Sequence, residues 1–170
     1  MTLGEVKAYL EDSGSKFIHV GVLTHDLNST VSTLESYPFV GKFADGHTVQ
    51  FGRESLEVGA PYVITIANAT VAGHDFVLEV LQPDEEKSDP DNIYSSLLSK
   101  YGSGLSHVAY SVPSEKVFDT ASAAFIDAGY KVILKGGVKP DESKGVRGNA
   151  FIYLDPDDGS NCFLELLLAK

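Results

Sequence analysis

The chain has no tryptophan, one methionine and one cysteine, Cys162. A single cysteine excludes an intrachain disulfide framework and a cysteine-based zinc site. Positive charge is also scarce: 13 Lys and Arg stand against 24 Asp and Glu, for a formal net charge of −11. Nucleic acid is therefore not an expected partner, because phosphate contacts need clustered cations. A small anionic ligand held by one or two local cations stays compatible with this balance. No apolar run approaches the ~20 residues that span a bilayer, and no charged-then-apolar signal segment opens the chain. The expectation is a soluble, cytoplasmic protein without a membrane partner. Its 170 residues, 43% of them hydrophobic, suffice for one compact domain or two small fused modules.

What is present is a regular alternation of strand-like and helix-like segments. Thr2 followed by Glu5 fits a capping box, so residues 1–15 read as a helical extension. "KFIHVGVL" is β-type, and Asp26 or Asn28 can cap a helix through "STVSTLESY" that Pro38 stops. "FVGKFADGHTVQFG" reads as a hairpin turning at Asp45-Gly46, "RESLEVGAP" as a loose acidic stretch, and "YVITIANAT" and "HDFVLEVLQ" as strands. Residues 83–103 form an acidic linker with a short helix around Ile93, Leu97 and Leu98. Then "GLSHVAYSV", a helix capped by Ser114 and closed by Gly129, "YKVILKG", "AFIYLD" and "NCFLELLLA" repeat the order. The reading is α+β, with one βαβββ module over 16–82 and a second over 104–170.

The last strand raises a physical problem. Strand side chains alternate between two faces, so Cys162, Leu164, Leu166 and Leu168 share one face and Phe163, Glu165 and Leu167 the other. A buried lone carboxylate is costly unless it is paired, hydrogen-bonded or bound to metal. The two halves repeat this oddity. "FIHVGV" and "LSHVAY" each hold a histidine within an apolar strand, and "FVLEVL" and "CFLELL" each hold a glutamate. His19 precedes Glu79 by 60 positions and His107 precedes Glu165 by 58. Alternation groups His19 with Phe17 and Gly21, and His107 with Leu105 and Ala109; the small residue two positions on leaves room beside each imidazole. If the modules pair, His19, Glu79, His107 and Glu165 meet. Two imidazoles and two carboxylates suit a divalent metal, Zn, Co, Ni or Mn, which supplies the counter-charge the glutamates need.

The sequence also resembles a known superfamily, the vicinal oxygen chelate proteins. The resemblance runs over about residues 16–169 and is most evident in "LEVLQPDEEKSDPDNIYSSLLSKYGSGLSHVAYSV", where the order of Ser88, Asp89, Pro90, Gly104 and His107 is similar to the methylmalonyl-CoA epimerase branch, with the glyoxalase I branch beside it. It departs at Asp155 before Pro156, where the epimerase branch often has histidine, and over 45–68, which matches poorly. The resemblance implies a curved, cup-like mixed sheet, the glyoxalase/bleomycin resistance/dihydroxybiphenyl dioxygenase fold. It implies metal ligands at His19, Glu79, His107 and Glu165, and an isomerase, epimerase or lyase that chelates substrate oxygens and takes a proton from the carbon beside a carbonyl. By analogy with glyoxalase I, Glu165 is the first candidate for ligand and base, and Glu79 the second. Iron, as used by extradiol dioxygenases with two histidines and one carboxylate, is disfavoured by the second glutamate. A non-catalytic binding protein of the bleomycin-resistance type is the other alternative.

The remaining polar residues carry less. Glu54 and Glu57 are fallback acid/base candidates in a loop, and His25, His47 and His74 read as turn or surface histidines. "GVRGN" offers backbone N–H groups, Arg147 and Asn149 to a phosphate or carboxylate, and with Lys135, Lys139 and Lys144 it is the most basic part of the chain. An anionic tail, such as that of an acyl-CoA or a thiol adduct, is expected here. Tyr110 and Phe151 are expected to line the cup. The expected assembly is a homodimer, and pairing of the modules within one chain or across a dimer stays open.

Overall fold

The computed structural model describes residues 1–138 and 148–169. Helix α1 (Leu3–Asp12) starts at Thr2, whose hydroxyl accepts from the Glu5 amide while the Glu5 carboxylate accepts from the Thr2 amide, completing the capping box. Strand β1 (Lys16–Leu23) leads to α2 (Leu27–Glu35), capped by the Asp26 carboxylate on the Ser29 amide at 3.0 Å. Then follow β2 (His47–Phe51), a turn of 3-10 helix over Arg53–Ser55, β3 (Leu56–Val58), β4 (Tyr62–Thr70) and β5 (Val77–Pro83). After α3 (Ile93–Tyr101) come β6 (Gly104–Val112), α4 (Glu115–Asp127), β7 (Lys131–Val138), β8 (Asn149–Asp155) and β9 (Phe163–Ala169).

The strands form one curved, nearly closed nine-stranded sheet in the order β2-β4-β5-β1-β6-β9-β8-β7-β3. In each half the first strand pairs in parallel with the last, β1 with β5 and β6 with β9. The halves join along the antiparallel seam β1–β6, so they meet within a single chain. On one side of the sheet, α1 and α4 cover Val112, Ile152, Leu154, Leu166 and Leu168. The other side, which faces the cavity, carries Leu23, Ile64, Leu81, Phe151 and Phe163, closed at one end by Tyr94, Leu97 and Leu98 of α3. Each fully buried aliphatic or aromatic side chain in these layers contributes roughly 1.5–3 kcal/mol relative to exposure.

Two expectations about local structure are corrected. Asp45-Gly46 is not the turn of a hairpin. The Gly41 and Ala44 amides bond to the carbonyls of Thr70 and Asn68, and β2 then pairs with Tyr62–Ile66. Both flanks run along β4, so the chain never reverses there. The acidic stretch after it is not simply loose, because β3 crosses to the other half and pairs with β7.

Alternation is also interrupted along the seam. A bulge between Phe17 and His19 pairs Phe17 with Tyr110 and His19 with Ala109, which puts Phe17 and His19 on opposite faces. A second irregularity, between Gly21 and Val22, sets Val22 against Leu105, so Leu105 does not share the face of His107 and is 44% exposed.

Candidate metal centre

The four repeated polar residues occupy four consecutive strands of the sheet: Glu79 on β5, His19 on β1, His107 on β6 and Glu165 on β9. Register brings them level. Gly21 pairs with both Glu79 and His107, and Ala109 pairs with both His19 and Glu165. The small residue two positions beyond each histidine is thus the cross-strand neighbour of the other half's ligand candidate. At Gly21 this is a requirement, because a Cβ built there would fall onto the His107 ring.

The polar atoms converge. His19 Nε2 lies 3.0 Å from His107 Nε2 and 3.0 Å from Glu165 Oε2. Glu79 Oε1 is 3.7 Å from His19 Nε2 and 3.6 Å from His107 Nε2, and Glu165 Oε2 is 3.5 Å from His107 Nε2. His107 is fully buried, and Glu165 and His19 are 6% and 9% exposed. Burial works against protonation of His19, but its hydrogen bond to Glu165 and the charges of Glu79 and Glu165 outweigh that and raise its pKa above the ordinary imidazole value. Burial pushes the Glu79 carboxyl up, yet the His107 imidazole 3.6 Å away and the positive potential of His19, His107 and His47 hold it below the usual carboxylate range.

The donor set fits a divalent cation. Bonds of ~2.1 Å to nitrogen or oxygen place neighbouring ligand atoms of a four- to six-coordinate ion about 3–3.5 Å apart, and the side-chain atoms here lie 3.0–3.7 Å apart. One nitrogen from each of His19 and His107 and one Glu79 oxygen lie within 4.8 Å of one another. Two buried imidazole nitrogens and two carboxylates facing a common point need a proton or a cation between them.

His19, Glu79 and Glu165 line a cavity of about 330 Å³, and the fully buried His107 lies against them. Phe51, Tyr62, Tyr94, Phe151 and Tyr153 supply an aromatic wall, and Asn149 stands on it with its side-chain oxygen accepting from the Val138 amide at 2.9 Å. Burial raises the phenol pKa of Tyr62, Tyr94 and Tyr153, so all three are neutral hydroxyls at ordinary pH. Phe151 lines the cup as expected, whereas Tyr110 does not. Tyr110 follows Ala109 on β6 and so points to the opposite face, where it packs edge-on against Phe17 at 5.5 Å and borders an outer groove beneath α1. Glu54 and Glu57 do not line the cavity, and Glu57 pairs with Lys135 at 2.5 Å. His25 borders a separate groove and His74 packs beside Phe76. Arg147, Lys139 and Lys144 lie outside the described residues.

His47, read from sequence as a turn histidine, lies on the cavity wall. The signal was the alternation in "HTVQF", which puts His47, Val49 and Phe51 on one side; all three line the cavity. Nothing in the sequence distinguishes Tyr62, Tyr94 and Tyr153, because strand and helix tyrosines look like ordinary core.

No protein-family model matches the sequence, and no curated protein does. Solved structures do match. A hypothetical protein from Bacillus halodurans superposes with a TM-score of 0.60 at 17% identity, over 92% of this chain and 96% of its own. A variant of the Streptomyces coelicolor methylmalonyl-CoA epimerase, in complex with 2-nitronate-propionyl-CoA, gives 0.53 at 24% identity over 90% and 96%. A variant of 4-hydroxymandelate synthase from the same organism gives 0.56 at 15% identity over 92% of this chain and 49% of the synthase. The chain has the vicinal oxygen chelate fold. At these identities the likeness establishes the vicinal oxygen chelate architecture alone. Among the described residues no helix is long and apolar enough to cross a membrane.

Proposed function

We propose that this protein is a divalent-metal-dependent enzyme that moves a proton at the carbon beside a carbonyl, in an isomerisation, epimerisation or lyase reaction. The observation that carries this reading is the convergence of His19, Glu79, His107 and Glu165, three of which, His19, Glu79 and Glu165, line a cavity large enough for a small substrate. An ion bound there, Zn, Co, Ni or Mn, would act as a Lewis acid toward a substrate carbonyl and ease loss of the neighbouring proton.

The chain's own residues supply the rest. The two imidazoles and two carboxylates would hold the ion. Glu79, kept ionised despite its burial, and Glu165 stand on opposite sides of the histidine pair and are the groups that take and return the proton. His47 on the cavity wall is a further proton carrier. The aromatic wall excludes water and holds the apolar part of the substrate; Tyr94 donates its hydroxyl proton to the Tyr153 oxygen at 3.4 Å, which leaves the Tyr153 hydroxyl proton to donate a hydrogen bond. The fold neighbours that are methylmalonyl-CoA epimerases, one of them bound to 2-nitronate-propionyl-CoA, support an acyl-CoA or another thiol adduct as the substrate class.

The test is direct. Protein reconstituted with Zn2+, Co2+, Ni2+ or Mn2+ is incubated with acyl-CoA epimers and with 2-oxoaldehyde hemithioacetals in deuterated water. Metal-dependent deuterium incorporation beside the carbonyl is the expected result. Failure to bind any of these ions stoichiometrically would overturn the reading. A second reading, ferrous iron for an oxygenase, draws on the mutually close group of two histidines and one carboxylate, His19, His107 and Glu79. Oxygen uptake with ferrous iron and a catechol would favour it.

A further inference from the structure

The geometry points to Ser106 as the residue that fixes His107 in the form with its proton on Nδ1, so that Nε2 presents a lone pair to the cluster. This inference rests on reading the cluster as a metal centre. The Ser106 hydroxyl lies 3.1 Å from the Gly21 carbonyl oxygen and 3.0 Å from His107 Nδ1. A hydroxyl carries one proton, and a carbonyl oxygen can only accept. The Ser106 proton therefore goes to Gly21, and the Ser106 oxygen meets Nδ1 with a lone pair. Nδ1 must then be the donor.

Burial makes this assignment strict. Ser106 is 2% exposed and His107 is fully buried, so bulk water cannot satisfy Nδ1 in its place. Among the described residues the polar atoms that Nε2, at the other end of the ring, faces are His19 Nε2, Glu79 Oε1 and Glu165 Oε2. The Tyr153 ring packs edge-on against the imidazole at 5.1 Å and limits its rotation. Gly21 thus serves twice: its missing Cβ admits the ring, and its carbonyl orients the hydroxyl that sets the ring's proton. Partners behind a ligating histidine typically account for 10–100-fold in metal affinity.

Two measurements test this. In protein labelled with 15N-histidine, long-range proton–nitrogen spectra report which ring nitrogen of His107 carries hydrogen, with or without metal. A protonated Nδ1 in the metal-free protein, and its loss or exchange broadening in Ser106→Ala, is expected. An unprotonated Nδ1 in the unaltered protein would overturn the inference. In parallel, Zn2+ affinity is measured by competition with a chromophoric chelator. Ser106→Ala should weaken binding 10–100-fold and Ser106→Thr, which keeps the hydroxyl, should stay nearer the unaltered protein. Unchanged affinity in Ser106→Ala would count against the inference, as would a drop in the melting temperature of the metal-free variant as its sole effect. If the unaltered protein binds no Zn2+, the metal-centre reading fails, while the nitrogen spectra still decide the role of Ser106.

Discussion

Gly21 and His107 stand directly opposite each other across the β1–β6 seam, and the space a Gly21 side chain would occupy is filled by the His107 imidazole. One half of the chain therefore makes room for the other half's ligand candidate. Gly21→Ala should push the His107 ring off the cluster. Zn2+ affinity is expected to fall by at least about tenfold, with far-UV circular dichroism close to that of the unaltered protein. Unchanged affinity would show that the ring can move without loss.

Metal binding should stabilise the fold by mass action. At Zn2+ one hundred times its Kd, the expected gain is about 2.7 kcal/mol, read as a rise in Tm. His19→Ala and His107→Ala should abolish this rise. A rise that persists in both variants would place the ion elsewhere.

Glu165→Gln keeps the volume of the side chain and removes its charge. On the proposed reading it lowers turnover by two orders of magnitude or more, because it would withdraw both a ligand and a proton acceptor. Turnover within a few-fold of the unaltered enzyme would move the proton-transfer role to Glu79. Stopped-flow or deuterium wash-in on the reconstituted variant is the measurement.

His47→Asn should separate binding from chemistry. His47 lines the cavity but has no hydrogen bond or ion pair to the cluster among the described residues. Stoichiometric metal with turnover reduced about tenfold or more is expected. Full activity would leave His47 as wall only.

Cys162 offers a pH test away from the cavity. It borders the outer groove beneath α1, where burial and then the nearby Asp158 carboxylate push its thiol pKa up. The thiolate is the reactive form, so alkylation by iodoacetamide should be slower than for a model thiol at neutral pH. The rate should keep climbing with pH beyond the point where an ordinary cysteine levels off. Asp158→Asn should shift that rise to lower pH. A rate equal to a free thiol's at neutral pH would contradict the environment described.

Much of the site was legible because it repeats. His19 and His107, and Glu79 and Glu165, are polar residues within apolar strands at matching places, and burial of such groups demands compensation. Parity in β9 was equally readable, with Leu166 and Leu168 in the helix-covered core and Phe163 and Glu165 on the cavity side. Tyr110 could have been assigned by the same rule, since it follows Ala109 and must point away from His107. His47 was legible only through the period-two pattern it shares with Val49 and Phe51.

The sequence by itself determined most of the strands, though not β3, together with the capped helices and the repeated His/Glu pattern, because these depend on periodicity and short-range chemistry. The tertiary structure decided what depends on long-range register. It set the bulge that turns Phe17 away from His19, the pairing of β3 with β7 and the union of both halves within one chain. It alone set Ser106 between Gly21 and His107, since that contact joins residues 85 positions apart. No local pattern encodes which strands become neighbours; the closure of the sheet around a shared core does.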